Sequence, residues 1–276
     1  MEREREYSPS SCIGGNYQPF IAAYAERSRA VRARIAGQLN LRYGSGAAQR
    51  LDLFVPQPAA AAPVPPLLVF IHGGYWQELS KEESAFAAAD CIGQGVACAV
   101  LDYTLAPRAT VADIAAECRQ ALAWLHAQAG SLGFDAGRLI VAGSSAGAHL
   151  AAMTALGEGG SRVKAVVLVS GIYELEPLLG TSVNAALGLN AAGAREASPA
   201  LHDVSAFPPS IVCWGEIETN EFKRQGRAFA ARLAHAGRAA RVFEVPQRNH
   251  FDVILDLADP HTLLGRAVAE LIRSAV

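Results

Sequence analysis

The chain has 276 residues, of which 51% are hydrophobic, enough to bury one large core. Its 24 basic and 26 acidic residues leave a net charge of −2 at pH 7, so no basic surplus favours nucleic acid or an anionic membrane. Cys12, Cys91, Cys98, Cys118 and Cys213 form an odd set with no CxxC pair, as reduced packed thiols do, and neither the charged start Met1–Glu6 nor any later run is an apolar signal or span. A soluble cytoplasmic protein is expected.

After an irregular segment from Tyr7 to Phe20, an Ala/Arg-rich stretch predicts a helix over Ile21–Ala36. Gln38–Tyr43 and Gln49–Val55 alternate apolar and polar residues about Gly44-Ser45-Gly46, which predicts an antiparallel hairpin. The Ala/Pro-rich run Pro56–Pro66 reads as a surface connection rather than a domain boundary. From Leu67 the rhythm becomes strand then helix: strands over Leu67–Ile71, Val96–Leu101, Arg138–Ala142 and Val163–Val169, with helices near Lys81–Gln94, Val111–Ala129 and Ala146–Leu156. Gly171–Phe207 breaks that rhythm and is expected to form a short cap or lid. Strands over Ser210–Trp214 and Arg241–Val245, a helix near Asn220–Ala236 between them, and a helix over Pro260–Ser274 close the chain. Apolar strands alternating with helices imply an α/β fold: an eight-stranded, mostly parallel sheet with helices on both faces, in a single domain over 1–276 with an N-terminal arm at about 1–36.

Gly143-Ser144-Ser145-Ala146-Gly147 sits between the strand ending at Ala142 and the helix after it. Strand, tight Gly-rich turn and helix are the setting of a nucleophile elbow, in which small neighbours let the backbone hold a serine hydroxyl at the carboxyl edge of the sheet. Upstream, the apolar strand ending at Ile71 runs into His72-Gly73-Gly74-Tyr75-Trp76, where a Gly pair lets backbone N–H groups face a ligand. Gly73, Gly74 and the N–H of Ala146 are the candidate oxyanion donors. Downstream, Gln247-Arg248-Asn249-His250-Phe251 puts a histidine on a loop at the same sheet edge. Serine, acid after the next-to-last strand, histidine is the order found in α/β-hydrolases.

His72-Gly73-Gly74-Tyr75-Trp76-Gln77, Gly143–Leu150 and Asn249-His250-Phe251-Asp252-Val253-Ile254 together resemble the serine-hydrolase type of kynurenine formamidase (arylformamidase). Tyr7-Ser8-Pro9-Ser10-Ser11 and Asp102-Tyr103-Thr104-Leu105-Ala106-Pro107 resemble that group and its carboxylesterase relatives, so the likeness spans nearly the whole chain. It implies an α/β-hydrolase fold and hydrolysis of N-formylkynurenine or another N-acylated aromatic amine. Where the pattern commonly has Asp, this chain reads Gly215-Glu216-Ile217-Glu218-Thr219-Asn220-Glu221, and Glu218 falls at the matching position. Glu216 and Glu221 stay open at this point.

These residues predict a serine hydrolase in which Ser145 attacks, His250 relays the proton and Glu218 orients it. Tyr75, Trp76 and Tyr103 lie at strand ends and are candidates to line an aromatic pocket, with packing as their competing role; Trp76→Ala is then expected to remove a preference for aromatic substrates. His72 is expected to buttress its loop and His149 to be packed or on the surface. The seven histidines show no HExxH and no close His/Asp cluster, so neither metal nor other cofactor is expected. The expected partner is a small aromatic amide or ester, with no nucleic acid and no membrane, and with room for a homo-oligomer. A broad short-chain carboxylesterase is the alternative activity, and an inactive hydrolase-fold binding protein is the alternative of another class.

Overall fold

Side chains alternate along the central strands and divide the core in two. The computed structural model describes residues 2–57, 63–157 and 162–274. In β3 (Leu67–Ile71), Leu67, Val69 and Ile71 join one apolar cluster while Leu68 and Phe70 join the other, the period of two that a strand buried on both faces requires. The first cluster is covered by α4 (Val111–Leu132), α5 (Ala146–Ala155) and α8 (Asn220–His235). The second is covered by α2 (Gln18–Arg34), α3 (Ala88–Gly93) and α9 (Leu263–Ser274).

Eight strands form one sheet in the order β1-β2-β4-β3-β5-β6-β7-β8. The others are β1 (Gln38–Arg42), β2 (Arg50–Phe54), β4 (Ala97–Leu101), β5 (Leu139–Ser144), β6 (Ala165–Val169), β7 (Ser210–Ile217) and β8 (Ala240–Asn249). β1 pairs antiparallel with β2, and β2 with β4; all other pairings are parallel. The segments after β3, β5, β6, β7 and β8 therefore meet at the carboxyl edge of the sheet, where open α/β sheets bind their ligands. Among the described residues no helix is long and apolar enough to cross a membrane.

Two expectations need correction. The helix expected over Lys81–Gln94 is two 3₁₀ turns, Lys81–Glu83 and Ala85–Ala87, followed by the short α3. Buried Lys81 is drawn inward, its N–H donating to Asp102 Oδ1 at 2.7 Å and its ammonium pairing with Asp52 at 3.1 Å, a tertiary pull that overrides helix preference. β8 runs on past Pro246 to Asn249, which pairs with Ile217 beyond a register irregularity, so the stretch Gln247–Asn249 expected as loop belongs to the strand. The segment 171–207, where the strand–helix rhythm breaks, carries the short helices α6 (Asn184–Leu187) and α7 (Ala191–Glu196) between 3₁₀ turns at Glu176–Gly180 and Pro199–Leu201. The Pro56–Pro66 connection lies partly outside the described residues.

The arm has more structure than its sequence suggested. Glu2–Glu6 forms the short helix α1, and a 3₁₀ turn at Pro9–Ile13 leads into α2. Arm and 171–207 segment meet where Glu4 accepts hydrogen bonds from the N–H and hydroxyl of Ser182.

Candidate active site

Ser145 stands between the last residue of β5 and the first of α5, with φ +57° and ψ −121°. That backbone is unfavourable for a side chain with a Cβ and persists only where surrounding structure enforces it. The Ser145 N–H donates to Val169 O at 2.8 Å, and its carbonyl begins the helix by accepting from Ala148 and His149. A Cβ on Gly147 would lie 2.0 Å from Ile71 O, so helix and neighbouring strand approach as closely as they do only because that residue is glycine. Ala146, the first residue of α5, has no intrahelical acceptor for its N–H.

The turn after β3 lies against this elbow. A Cβ on Gly73 would come 2.8 Å from Ser144 O and 3.2 Å from Ser145 Cβ. Gly74, Tyr75 and Trp76 follow with φ of +96°, +49° and +61°, a tight reversal closed by Gln77 and Glu78 N–H groups on Gly74 O. His72 is buried and stacks on Tyr103 at 4.2 Å, while the Tyr103 hydroxyl donates to His72 O at 3.0 Å. Burial pushes the His72 imidazole down to about 4, so it is a neutral buttress of the turn near neutral pH.

Glu218 meets His250. Its buried Oε2 lies 2.9 Å from His250 Nδ1, and Oε1 accepts from Gly215 N–H and the Ser170 hydroxyl, each at 2.6 Å. Three hydrogen bonds satisfy a carboxylate that would otherwise be costly to bury. The neighbouring acids do other work: Glu216 is exposed and accepts from Gln247 N–H, and Glu221 binds Tyr7 and Arg224. Phe222 packs edge-on against the imidazole with centroids 4.5 Å apart.

Ser145, His250, Gly73, Gly74 and Tyr75 line one cavity of about 320 Å³. No hydrogen bond among the described residues joins Ser145 Oγ to His250; such contacts are commonly loose in unliganded hydrolases and tighten with substrate. Phe251 lines the same cavity, with Tyr17 and Phe20 stacked on it at 5.3 and 5.7 Å. The arm contributes Tyr7 and Ser10 to the wall, and the 171–207 segment contributes Ser182 and Val183.

Two expected pocket residues lie elsewhere. Trp76 is fully buried, edge-to-face with His149 at 4.9 Å, and does not line the cavity. Tyr103 is spent on His72 and likewise stays behind the turn. With positive φ at both Tyr75 and Trp76, the turn keeps the first ring beside the cavity and sends the second into the core. Sequence inspection missed Ser170, the hydroxyl that holds Glu218, and the aromatic wall of Tyr7, Tyr17 and Phe251; only the His250-Phe251 adjacency carried a local signal. Among the described residues no group of three His, Cys, Asp or Glu side chains could hold a metal.

Comparison with known proteins agrees with this architecture. Residues 51–216 match the BD-FAE family. A kynurenine formamidase of Danio rerio is 30% identical, the match covering 98% of this chain and 96% of that protein. The chain belongs to the kynurenine formamidase-like family of α/β hydrolases. Its relatives include the esterase LipQ of Mycobacterium tuberculosis, 29% identical over 83% of this chain and 59% of that protein. A solved structure from Silicibacter sp. TM1040, provisionally described as a thioesterase, is 30% identical with a TM-score of 0.83, covering 97% of this chain and 99% of that one. As a member of this family the chain is a hydrolase acting on amides or esters, and the inactive-binder alternative is set aside.

Proposed function

We propose that the protein is a serine hydrolase that cleaves N-acyl arylamines, with N-formylkynurenine-type arylformamides foremost, through an acyl-enzyme on Ser145. The observation that carries this reading is the buried contact of Glu218 Oε2 with His250 Nδ1 at 2.9 Å, in a cavity wall shared by His250 and Ser145.

Glu218 holds Nδ1 as the protonated nitrogen of neutral His250, so Nε2 is the free base. His250 takes the Ser145 proton as Oγ attacks the carbonyl, and Glu218 stabilises the imidazolium that results. The tetrahedral oxyanion is held by N–H groups of the Gly73–Gly74 turn and by Ala146, donors that are rigid before reaction begins. His250 returns the proton to the departing aryl nitrogen, which an amide requires because the free anilide is a poor leaving group. Water, deprotonated by His250, then attacks the acyl-enzyme and releases the acid.

The wall selects among aryl amides. Phe251 and Tyr75 supply flat apolar surface, and the cavity carries two carboxylates, Glu4 and Glu78, with no lysine or arginine among its described lining residues. A net-anionic N-acylanthranilate is repelled there, whereas a formylkynurenine-type substrate brings an ammonium to offset its own carboxylate.

Similarity to LipQ favours a second reading, a short-chain carboxylesterase. kcat/KM over a panel of N-formylkynurenine, N-acylanthranilates, neutral formanilides and aliphatic esters separates the two. The amidase reading expects N-formylkynurenine to lead; rapid cleavage of aliphatic esters with no detectable cleavage of any aryl amide rejects it.

A further inference from the structure

We propose that Tyr7, in the N-terminal arm, is a positioning residue that ties the oxyanion turn to the segments carrying Glu218 and His250; the assignment rests on the serine-hydrolase reading above. Tyr7 is almost fully buried, yet it lies outside the sheet, whose first strand begins only at Gln38.

Its carbonyl, phenol and ring make four contacts, one on the oxyanion turn and three on α8, the helix that begins two residues after Glu218. The Tyr7 carbonyl accepts from the Tyr75 hydroxyl, next in chain to Gly74. Its phenol donates to Glu221 Oε2 at 2.9 Å and accepts from Gln225 Nε2 at 2.9 Å. Its ring packs on Phe222, centroids 6.3 Å apart, and Phe222 is the ring set edge-on against His250.

The adjoining residue grips the same segment. Glu6 O accepts from the Thr219 hydroxyl at 2.6 Å, and the Glu6 carboxylate accepts from Glu221 N–H at 3.2 Å. Gln225, buried, also accepts from the N–H groups of Tyr173 and Glu174 at 2.6 and 2.8 Å, which fixes the stretch just past Ser170, the donor to Glu218. The arm thus binds the loops at the carboxyl edge. Ordering it costs conformational entropy, and in return it holds Tyr75 at a φ of +49° that a non-glycine residue keeps only under external constraint.

The test uses the full chain with Tyr7→Phe and Tyr7→Ala. Active sites are titrated with a fluorophosphonate, and kcat and KM are measured with p-nitrophenyl acetate, whose small acyl group needs no aromatic pocket, alongside thermal unfolding. Since a misplacement of ~1 Å can cost about 100-fold, kcat per titrated site is expected to fall about tenfold in Tyr7→Phe and about 100-fold in Tyr7→Ala, with KM within about twofold. A merely structural role would lower the melting temperature and the titratable fraction but leave kcat per site unchanged. The proposal is overturned if kcat per site stays within about twofold in the variants, or if only bulky aryl amides lose turnover, which would make Tyr7 a wall of the pocket. Should Tyr7→Ala not fold, Tyr7→Phe decides, because it keeps ring and carbonyl and loses only the two hydroxyl links. Active wild type that is not labelled at Ser145 overturns the serine-hydrolase mechanism as well, whereas labelling with unchanged variants overturns only the role of Tyr7.

Discussion

Ile217 and Asn249 face each other as the last paired positions of β7 and β8, beyond an irregularity in register that follows Gly215. The next residue in each chain segment is Glu218 and His250. The carboxylate and the imidazole therefore meet because two parallel strands end together, with the extra length of β8 absorbed where Gln247 takes a φ of +59°.

That geometry singles out one acid. On the proposed serine-hydrolase mechanism, Glu218→Gln keeps the shape but removes the charge that would stabilise protonated His250, and kcat should fall by roughly up to 10⁴. Glu216→Gln and Glu221→Gln, whose carboxylates do not contact His250, should lose far less. Steady-state kinetics on the three purified variants checks the ranking, and a larger loss in Glu216→Gln than in Glu218→Gln would reverse it.

Ser145 should be labelled covalently by a phosphonate or sulfonyl fluoride, as an activated serine beside a base is. Peptide mapping by mass spectrometry should find the adduct on Ser145 and not on Ser144. Ser145→Ala should abolish turnover and retain the wild-type melting temperature to within a few degrees. EDTA should leave wild-type activity unchanged; loss of activity on chelation would point to metal catalysis instead.

Gly73→Ala tests the oxyanion turn. The added methyl would sit 2.8 Å from Ser144 O and 3.2 Å from Ser145 Cβ, so turn and elbow must part by some tenths of an ångström. Loss or displacement of an oxyanion donor typically costs 10²–10³ in kcat, and about 100-fold is expected here. An unimpaired Gly73→Ala enzyme would remove this turn from the mechanism.

Trp76 now belongs to stability rather than to substrate choice. It is fully buried, so Trp76→Ala should cost about 3–5 kcal/mol in urea unfolding. Its indole N–H has no hydrogen-bond partner among the described residues, so Trp76→Phe forfeits none and should be far milder. Aromatic preference should instead weaken in Phe251→Ala, read as the ratio of kcat/KM for an aryl amide to that for an aliphatic ester.

Acidification should destabilise the fold. Burial holds His72 and His149 down to about 4, against an unfolded value near 6.5. As pH falls from 6.5 to 4 the unfolded chain takes up protons that the folded one refuses, and each histidine costs on the order of 3 kcal/mol. Asp102, raised to about 6 by burial, acts oppositely: protonated sooner in the folded state, it returns on the order of 2 kcal/mol over pH 6 to 4. Its Oδ1 stands 3.8 Å from His72 Nε2, outside hydrogen-bonding distance, and burial governs His72. Urea titrations at pH 7 and pH 4.5 should show a net loss of a few kcal/mol, reduced in His149→Gln; equal stability at both pH values would contradict the buried neutral state of these histidines.

Sequence alone determined what depends on local period and local turns. Apolar runs such as Leu67–Ile71 and Leu139–Ala142 specify strands buried on both faces, and Gly143–Gly147 between strand and helix specifies an elbow, because each pattern is complete within about ten residues. The chain order of Ser145, the acid and His250 was equally legible. Tertiary structure decided everything that turned on orientation or register. Which of three glutamates meets His250 depends on where β7 and β8 stop pairing, and that offset of Ile217 against Asn249 has no signature in either strand. Whether Tyr75 or Trp76 faces the cavity depends on successive positive φ values that two adjacent aromatic residues do not announce. The path of the arm over the site was likewise invisible, because the partners of Tyr7 lie 68 to 218 positions away in the chain, and contacts at such separations are chosen by packing of the finished sheet rather than by any local preference.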